Sequence, residues 1–312
     1  MSTPGLQLTL GVKTDPVEYR FSYEWLFRLL AEEGVRHVQL GTFTELYLLP
    51  DDFFVDLRRL AESTGLCITS VFSAHRELGG FMRFDHPAWE QAARRSYQRL
   101  IEVGALLGAE SVGSSAGAVM RDRPSDKDAG IRRYLAHIKE LMHVAHEYGL
   151  KALTIEPMSC VFEPPTLPDE IRSMADELLS YHRRHPASTV PVGYCVDVSH
   201  GYANRDERVV WDNMQLFEAA LPYLDHVHLK NTDSIFNSTF GFAPEERERG
   251  IVDIPRVRDL LLQRADDLPV RQVIGYFEIA GPKTGRDYSD WKLEIALRES
   301  LRYLRAVFPT EA

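Results

Sequence analysis

Four ionisable side chains interrupt short apolar runs: Glu156 in LTIEP, Asp197 in CVDVSH, His228 in HVHLKN and Glu278 in GYFEI. Each stands where an unpaired charge would be strongly unfavourable. A single buried carboxylate is most often hydrogen-bonded to neighbouring backbone or to an arginine. Four in comparable positions on successive segments are harder to explain one by one. Three carboxylates and one imidazole compensate each other around a divalent cation, and this donor set suits Mn²⁺ first, with Mg²⁺, Co²⁺ and Zn²⁺ as alternatives.

Such a site needs elements that bring the four together. Short β-rich runs occur at 7–12, 36–43, 67–74, 111–117, 151–158, 192–200, 226–231 and 272–281. Helical stripes lie between them, such as Ala93, Tyr97, Leu100 and Leu107, or Ile171, Met174, Leu178 and Tyr181. Gly34 and Gly149 stand at helix ends just before strands, as αβ junctions require. Strand and helix alternate with a period of roughly 30–45 residues, which predicts a (β/α)8 TIM barrel, a single domain over residues 1–312. A doubly wound sheet is the competing architecture, but the chain has no GxGxxG after an early strand and no phosphate-binding P-loop. No organic cofactor is expected.

In a barrel of this kind, reactive groups sit at the C-terminal strand ends. The four candidates fall on the fifth to eighth strands, one on each. His226 and His228 share a strand face, since residues two apart point the same way. His228 lies nearer the rim, level with the acids. His226 sits a step deeper, with Thr154, Cys195 and Tyr276, and reads as a hydrogen-bonded core imidazole.

Other segments add weaker candidates. SAHRELGG places His75 and Glu77 after the third strand, with His75 a candidate substrate contact; Glu45, Ser114 and Ser115 are candidate pocket walls. AGPKTGRD puts Lys283 and Arg286 on a loop after the eighth strand, where barrels often bind phosphate. His137, His143 and His146 lack the HExxH arrangement and read as a solvated helix face, and PEERERG (244–250) reads as an exposed loop. A formal net charge of −10 argues against a broad nucleic-acid surface. Three scattered cysteines, no signal-peptide pattern and no long apolar run point to a cytoplasmic protein without a membrane partner.

The pieces IEPM, DVSH, HVHLKN and FEI together resemble the xylose-isomerase-like TIM-barrel superfamily, in particular its sugar (phosphate) isomerase/epimerase branch, with ketose 3-epimerases as the comparison. The resemblance implies one divalent metal ion held by Glu156, Asp197, His228 and Glu278, with Glu156 and Glu278 moving protons. It also implies a small carbohydrate substrate, contacted by His200 and, through FEPP, by Glu163. Lys230 falls where the family often has a basic residue, and RGIVDI (249–254) is similar to the segment after strand seven. Members of this branch are often homodimers or homotetramers. The implied reaction passes through an enediolate, leading to isomerisation or epimerisation of a ketose, keto-sugar or sugar phosphate. The same enolate chemistry with a β-leaving group would make a lyase, acting on a keto-inositol or a 3-keto-glycoside. An endonuclease on this barrel would need further metal-binding histidines and a basic groove, which the segment after His228 and the net charge do not offer. A non-catalytic metal-binding protein would leave the glutamate pair without a purpose.

Overall fold

The computed structural model describes residues 5–17, 20–42, 45–74 and 76–309, the side chains of 76 and 77 excepted. Among the described residues eight strands build the main sheet: β1 (Gln7–Lys13), β2 (His37–Thr42), β3 (Cys67–Ser73), β4 (Ser111–Ser115), β5 (Ala152–Glu156), β6 (Val192–Asp197), β7 (Leu224–Leu229) and β8 (Gln272–Phe277), while Tyr202–Ala203 and Val209–Trp211 form a separate antiparallel pair. The eight close into a barrel in the order β1-β8-β7-β6-β5-β4-β3-β2, as the alternating pattern predicts. Eight principal helices separate them: α1 (Tyr23–Glu32), α2 (Asp51–Ser63), α3 (Ala88–Leu107), α4 (Lys127–Glu147), α5 (Pro168–Arg184), α6 (Asn213–Ala220), α7 (Ile254–Gln263) and α8 (Lys292–Arg305).

By contact density the described residues fall into two compact units, drawn from 1–40, 59–68 and 196–312, and from 41–58 and 69–195. In the first, β8 is the central strand. It pairs in parallel with β1 from Gln7↔Gln272 to Val12↔Phe277, and with β7 from Gly275↔Val227 to Phe277↔Leu229. Leu293, Leu297, Leu301 and Leu304 of α8 are buried at helical spacing; burying such a side chain contributes about 1.5–3 kcal/mol. Side-chain oxygens of Ser22, Asp212 and Asp253 cap α1, α6 and α7 by accepting backbone N–H bonds from Trp25, Gln215 and Arg256.

In the second unit β4 pairs with β3 from Ser70↔Ser111 to Ser73↔Ser114, and with β5 from Ser111↔Ala152 to Ser115↔Glu156. The fourth strand stops short of the predicted 111–117 because Gly117 turns left-handed, with φ of 96°. A Cβ on Gly117 would lie 2.2 Å from the Gly79 Cα, so the loops after β3 and β4 meet backbone to backbone there.

Two local expectations are corrected. PEERERG is exposed but is not a loop: Pro244–Arg249 is a helix, with Pro at its start and the Glu246 carboxylate accepting from the Ala243 N–H at 3.0 Å. The histidines of α4 do not form a solvated face. His137 Nε2 is 2.7 Å from Glu90 and its ring stacks on Phe81 at 4.2 Å, while His143 Nε2 is 3.0 Å from the Tyr181 hydroxyl. Only His146 of the three is exposed. The three cysteines are free, and no helix among the described residues is long and apolar enough to cross a membrane.

Candidate functional site

Asp197 is the last residue of β6, Glu278 follows β8 directly, and His228 is the penultimate residue of β7. Asp197 and His228 are 1% and 0% exposed. The chain just after Asp197 turns so that the Ser199 N–H and hydroxyl both donate to Asp197 Oδ1, at 2.8 and 2.7 Å. That leaves Oδ2 facing Lys230 Nζ at 2.5 Å and His200 Nε2 at 3.4 Å. On Glu278, Oε1 accepts from Lys13 Nζ at 2.7 Å, and Oε2 lies 3.0 Å from His228 Nδ1 and 3.9 Å from Lys230 Nζ.

Glu156, the last residue of β5, is buried as well. In the first unit, one ligand atom from each of Asp197, His228 and Glu278 can be chosen so that all lie within 4.8 Å of one another. The fit to a cation is visible in the oxygens themselves. Asp197 Oδ2 and Glu278 Oε2 are buried, and what they face are the cationic or imidazole groups of Lys230, His200 and His228 rather than neutral donors, so both oxygens stand where positive charge is required. Carboxylates and an imidazole are hard to borderline donors, suited to a divalent ion.

The electrostatics keep these acids ionised. Burial alone would raise the Glu278 carboxyl, but Lys13, Lys230 and His228 outweigh it and hold it well below the usual carboxylate range. At Asp197 burial again opposes ionisation, and His200, Lys230 and His228 together bring the net shift down. Asp15 goes the other way: burial dominates over Lys13, and Glu278 adds to the rise.

A depressed folded-state pKa contributes stability that is present above the unfolded value and lost as pH falls through the folded one. We therefore expect the stability difference between wild type and Asp197→Asn to be full at neutral pH and to shrink below about pH 4. Chemical unfolding at a series of pH values measures it, and a difference that stays constant across that range contradicts the assignment.

Glu163 lies in the second unit, at a cavity of about 360 Å³ also lined by Arg83, Ser115, Gly117 and Met120. Its carboxylate is 3.3 Å from Arg121, whose guanidinium sits over the Phe162 ring at 4.8 Å. His75 lies outside the described residues, as does the side chain of Glu77. The loop with Lys283 and Arg286 is exposed, and the backbone N–H groups of Gly285 and Arg286 donate to Asp290 Oδ2 at 3.2 and 3.3 Å.

Three residues near the acids escaped sequence reasoning. Lys13 ends the apolar run LTLGVK and is 2% exposed, so it carried the same signal as the three acids and the imidazole. Asp15 follows it, 3.4 Å from its Nζ. Gln39, fully buried on β2, hydrogen-bonds both histidines of β7. Phe236 holds a positive φ of 62° and its ring covers Gly201, next to His200; such backbone strain is characteristic of ligand sites.

Comparison with known proteins places the fold. Residues 27–306 match the family model described as xylose isomerase-like TIM barrel. A search of curated proteins finds no match. Among solved structures, a provisionally assigned xylose isomerase from Rhodospirillum rubrum superposes with a TM-score of 0.78 at 19% identity, covering 97% of this chain and 100% of that one. The D-psicose 3-epimerase of Clostridium cellulolyticum H10, solved with D-tagatose, gives 0.68 at 17% identity, covering 96% and 99%. The 3-keto-D-glucoside 4-epimerase of E. coli gives 0.62 at 17% identity, covering 96% and 100%. At these identities the likeness is one of fold.

Proposed function

The chain belongs to the xylose isomerase-like TIM-barrel family, and we propose that it is a divalent-metal-dependent sugar isomerase or epimerase, with residues 1–312 acting as one domain. The carrying observation is the convergence of Asp197, His228 and Glu278 within 4.8 Å. These three residues and Glu156 would hold the ion, with Mn²⁺ the best match to three carboxylates and one imidazole. The bound ion supplies Lewis-acid stabilisation of the negative charge that develops on a sugar enediolate.

The remaining work falls to the chain's own groups. Glu156 and Glu278 stand on or just after strands separated by two others in the sheet order. A substrate between them would present opposite faces of one carbon to the two carboxylates, so that one takes the proton and the other returns it. That outcome is epimerisation; return to the neighbouring atom is isomerisation. Lys230 neutralises Asp197 and, with His200, offers donors to substrate oxygens; Glu163 offers an acceptor for a hydroxyl, and His75 is a further candidate contact. The psicose and keto-glucoside epimerases named above act on sugars of this kind. An unphosphorylated ketose or keto-sugar fits best, because the loop after β8 already gives its N–H groups to the Asp290 carboxylate. Free cysteines agree with a cytoplasmic setting. No observation favours the lyase alternative.

The test is deuterium uptake. With Mn²⁺ in D₂O, the protein should exchange the C–H next to the carbonyl of at least one ketose or keto-sugar in a panel, followed by proton NMR. Release of water or an aglycone instead would identify elimination. No exchange into any unphosphorylated or phosphorylated ketose would overturn the reading.

A further inference from the structure

Below the candidate metal ligands runs a chain of four polar side chains that reaches towards the surface. Asp225 Oδ1 is 2.8 Å from His226 Nδ1. His226 Nε2 is 3.0 Å from Gln39 Nε2, and Gln39 Oε1 is 2.7 Å from His228 Nε2. Gln39, His226 and His228 are buried at 0%, 3% and 0% exposure, while the Asp225 side chain is 26% exposed.

The donor and acceptor capacities permit one direction through this chain. A carboxylate only accepts, so His226 carries its proton on Nδ1 and presents a lone pair at Nε2. That lone pair needs a donor, which is the Gln39 amide NH₂. The amide is thereby oriented with Oε1 towards His228, where it accepts from Nε2–H. With Nε2–H committed to Gln39, Nδ1 is the nitrogen that lies 3.0 Å from Glu278 Oε2 and faces the acids; the proton it shares with that carboxylate is the one a cation would displace, exposing the Nδ1 lone pair. In the reversed relay the Gln39 amide donates to His228 Nε2, so the single proton of a neutral His228 stays on Nδ1, where a metal would have to bind.

We propose that Asp225, His226 and Gln39 form a polarised relay that sets the tautomer of His228 and so presents Nδ1 for metal binding. The inference rests on the metal reading above. It makes Asp225 and Gln39 positioning residues, neither of them in contact with substrate. It also gives His226 a purpose beyond core packing, since its tautomer transmits the choice made at Asp225.

Asp225→Asn is the informative substitution, because it keeps shape and removes only the obligation to accept. The side-chain amide it introduces can donate to His226 Nδ1, which lets the relay run backwards. The expected result is a loss of Mn²⁺ affinity of about 10–100-fold by calorimetry, with thermal stability of the metal-free protein little changed. Gln39→Glu supplies the rescue: a carboxylate at this position accepts from both imidazoles whichever residue stands at 225. In the Gln39→Glu background, Asp225→Asn should therefore cost less than about threefold. Nitrogen-15 spectra of the metal-free protein read the tautomer directly, with His226 protonated on Nδ1 in wild type and on Nε2 in Asp225→Asn. Unchanged affinity in Asp225→Asn, or equal losses in both backgrounds, overturns the relay. If the wild type binds no divalent ion, the metal reading fails on its own. The spectra then decide the relay separately: unchanged His226 tautomers between the two proteins overturn it.

Discussion

Glu156→Gln and Glu278→Gln should each lower sugar turnover by about 10³-fold or more. General acid–base catalysis by a placed carboxylate contributes about 10²–10⁴-fold, and each of these residues would also give up charge at the metal. Gln keeps the shape and one neutral oxygen, so what is lost is the proton acceptor and part of the cation's field. The two variants should fail together, because a proton taken on one face of the sugar must be returned from the other. Initial rates with saturating Mn²⁺, alongside deuterium uptake in the same samples, measure both halves of the step. Near-normal turnover and exchange in both variants would remove the glutamates from the chemistry. A selective loss in one of them would narrow the assignment to that residue. A calorimetric titration with Mn²⁺ belongs beside the kinetics, since a variant that still binds metal yet does not exchange isolates the proton-transfer role from the ligand role.

Much of this arrangement is legible in the chain because burying a charge in an apolar strand is costly and therefore conspicuous. Glu156, Asp197, His228 and Glu278 announce themselves that way, and the alternation of β-rich runs with helical stripes places them at one end of a barrel. Lys13 had the same signature, but a search for metal ligands passes over a lysine, although the acids need its counter-charge. Gln39 was invisible for a different reason. A neutral polar residue in VQLGT alternates with apolar neighbours, as on any half-solvated strand; only closure of the barrel shows that it is fully buried and bonded to the β7 histidines. The helix at Pro244–Arg249 has no apolar stripe to reveal it, since its stability comes from its first turn. His137 and His143 look solvated by period, and are claimed instead by Glu90, Phe81 and Tyr181 of neighbouring segments.

Lys13→Met should destabilise the metal-free protein by about 3–5 kcal/mol, the cost of breaking a buried ion pair by deleting one partner. Lys13 Nζ donates to Glu278 Oε1 at 2.7 Å and lies 3.4 Å from Asp15 Oδ2, with only 3% of its side chain exposed. Without it, two half-buried carboxylates are left without their shared ammonium, and Asp15, already raised by burial, loses its main opposing charge. Methionine fills much the same volume, so the loss is electrostatic rather than a cavity effect. The metal-loaded protein should feel the substitution less. A cation held by Glu278 supplies part of the missing positive charge, and removal of Lys13 relieves a competitor for the same carboxylate. Mn²⁺ should therefore bind Lys13→Met more tightly than wild type, and the gap between their unfolding free energies should narrow as Mn²⁺ is added. Denaturant unfolding of both proteins, with and without Mn²⁺, measures the gap directly. A gap of the same size in both conditions would mean that Lys13 supports the fold without sharing Glu278 with a metal.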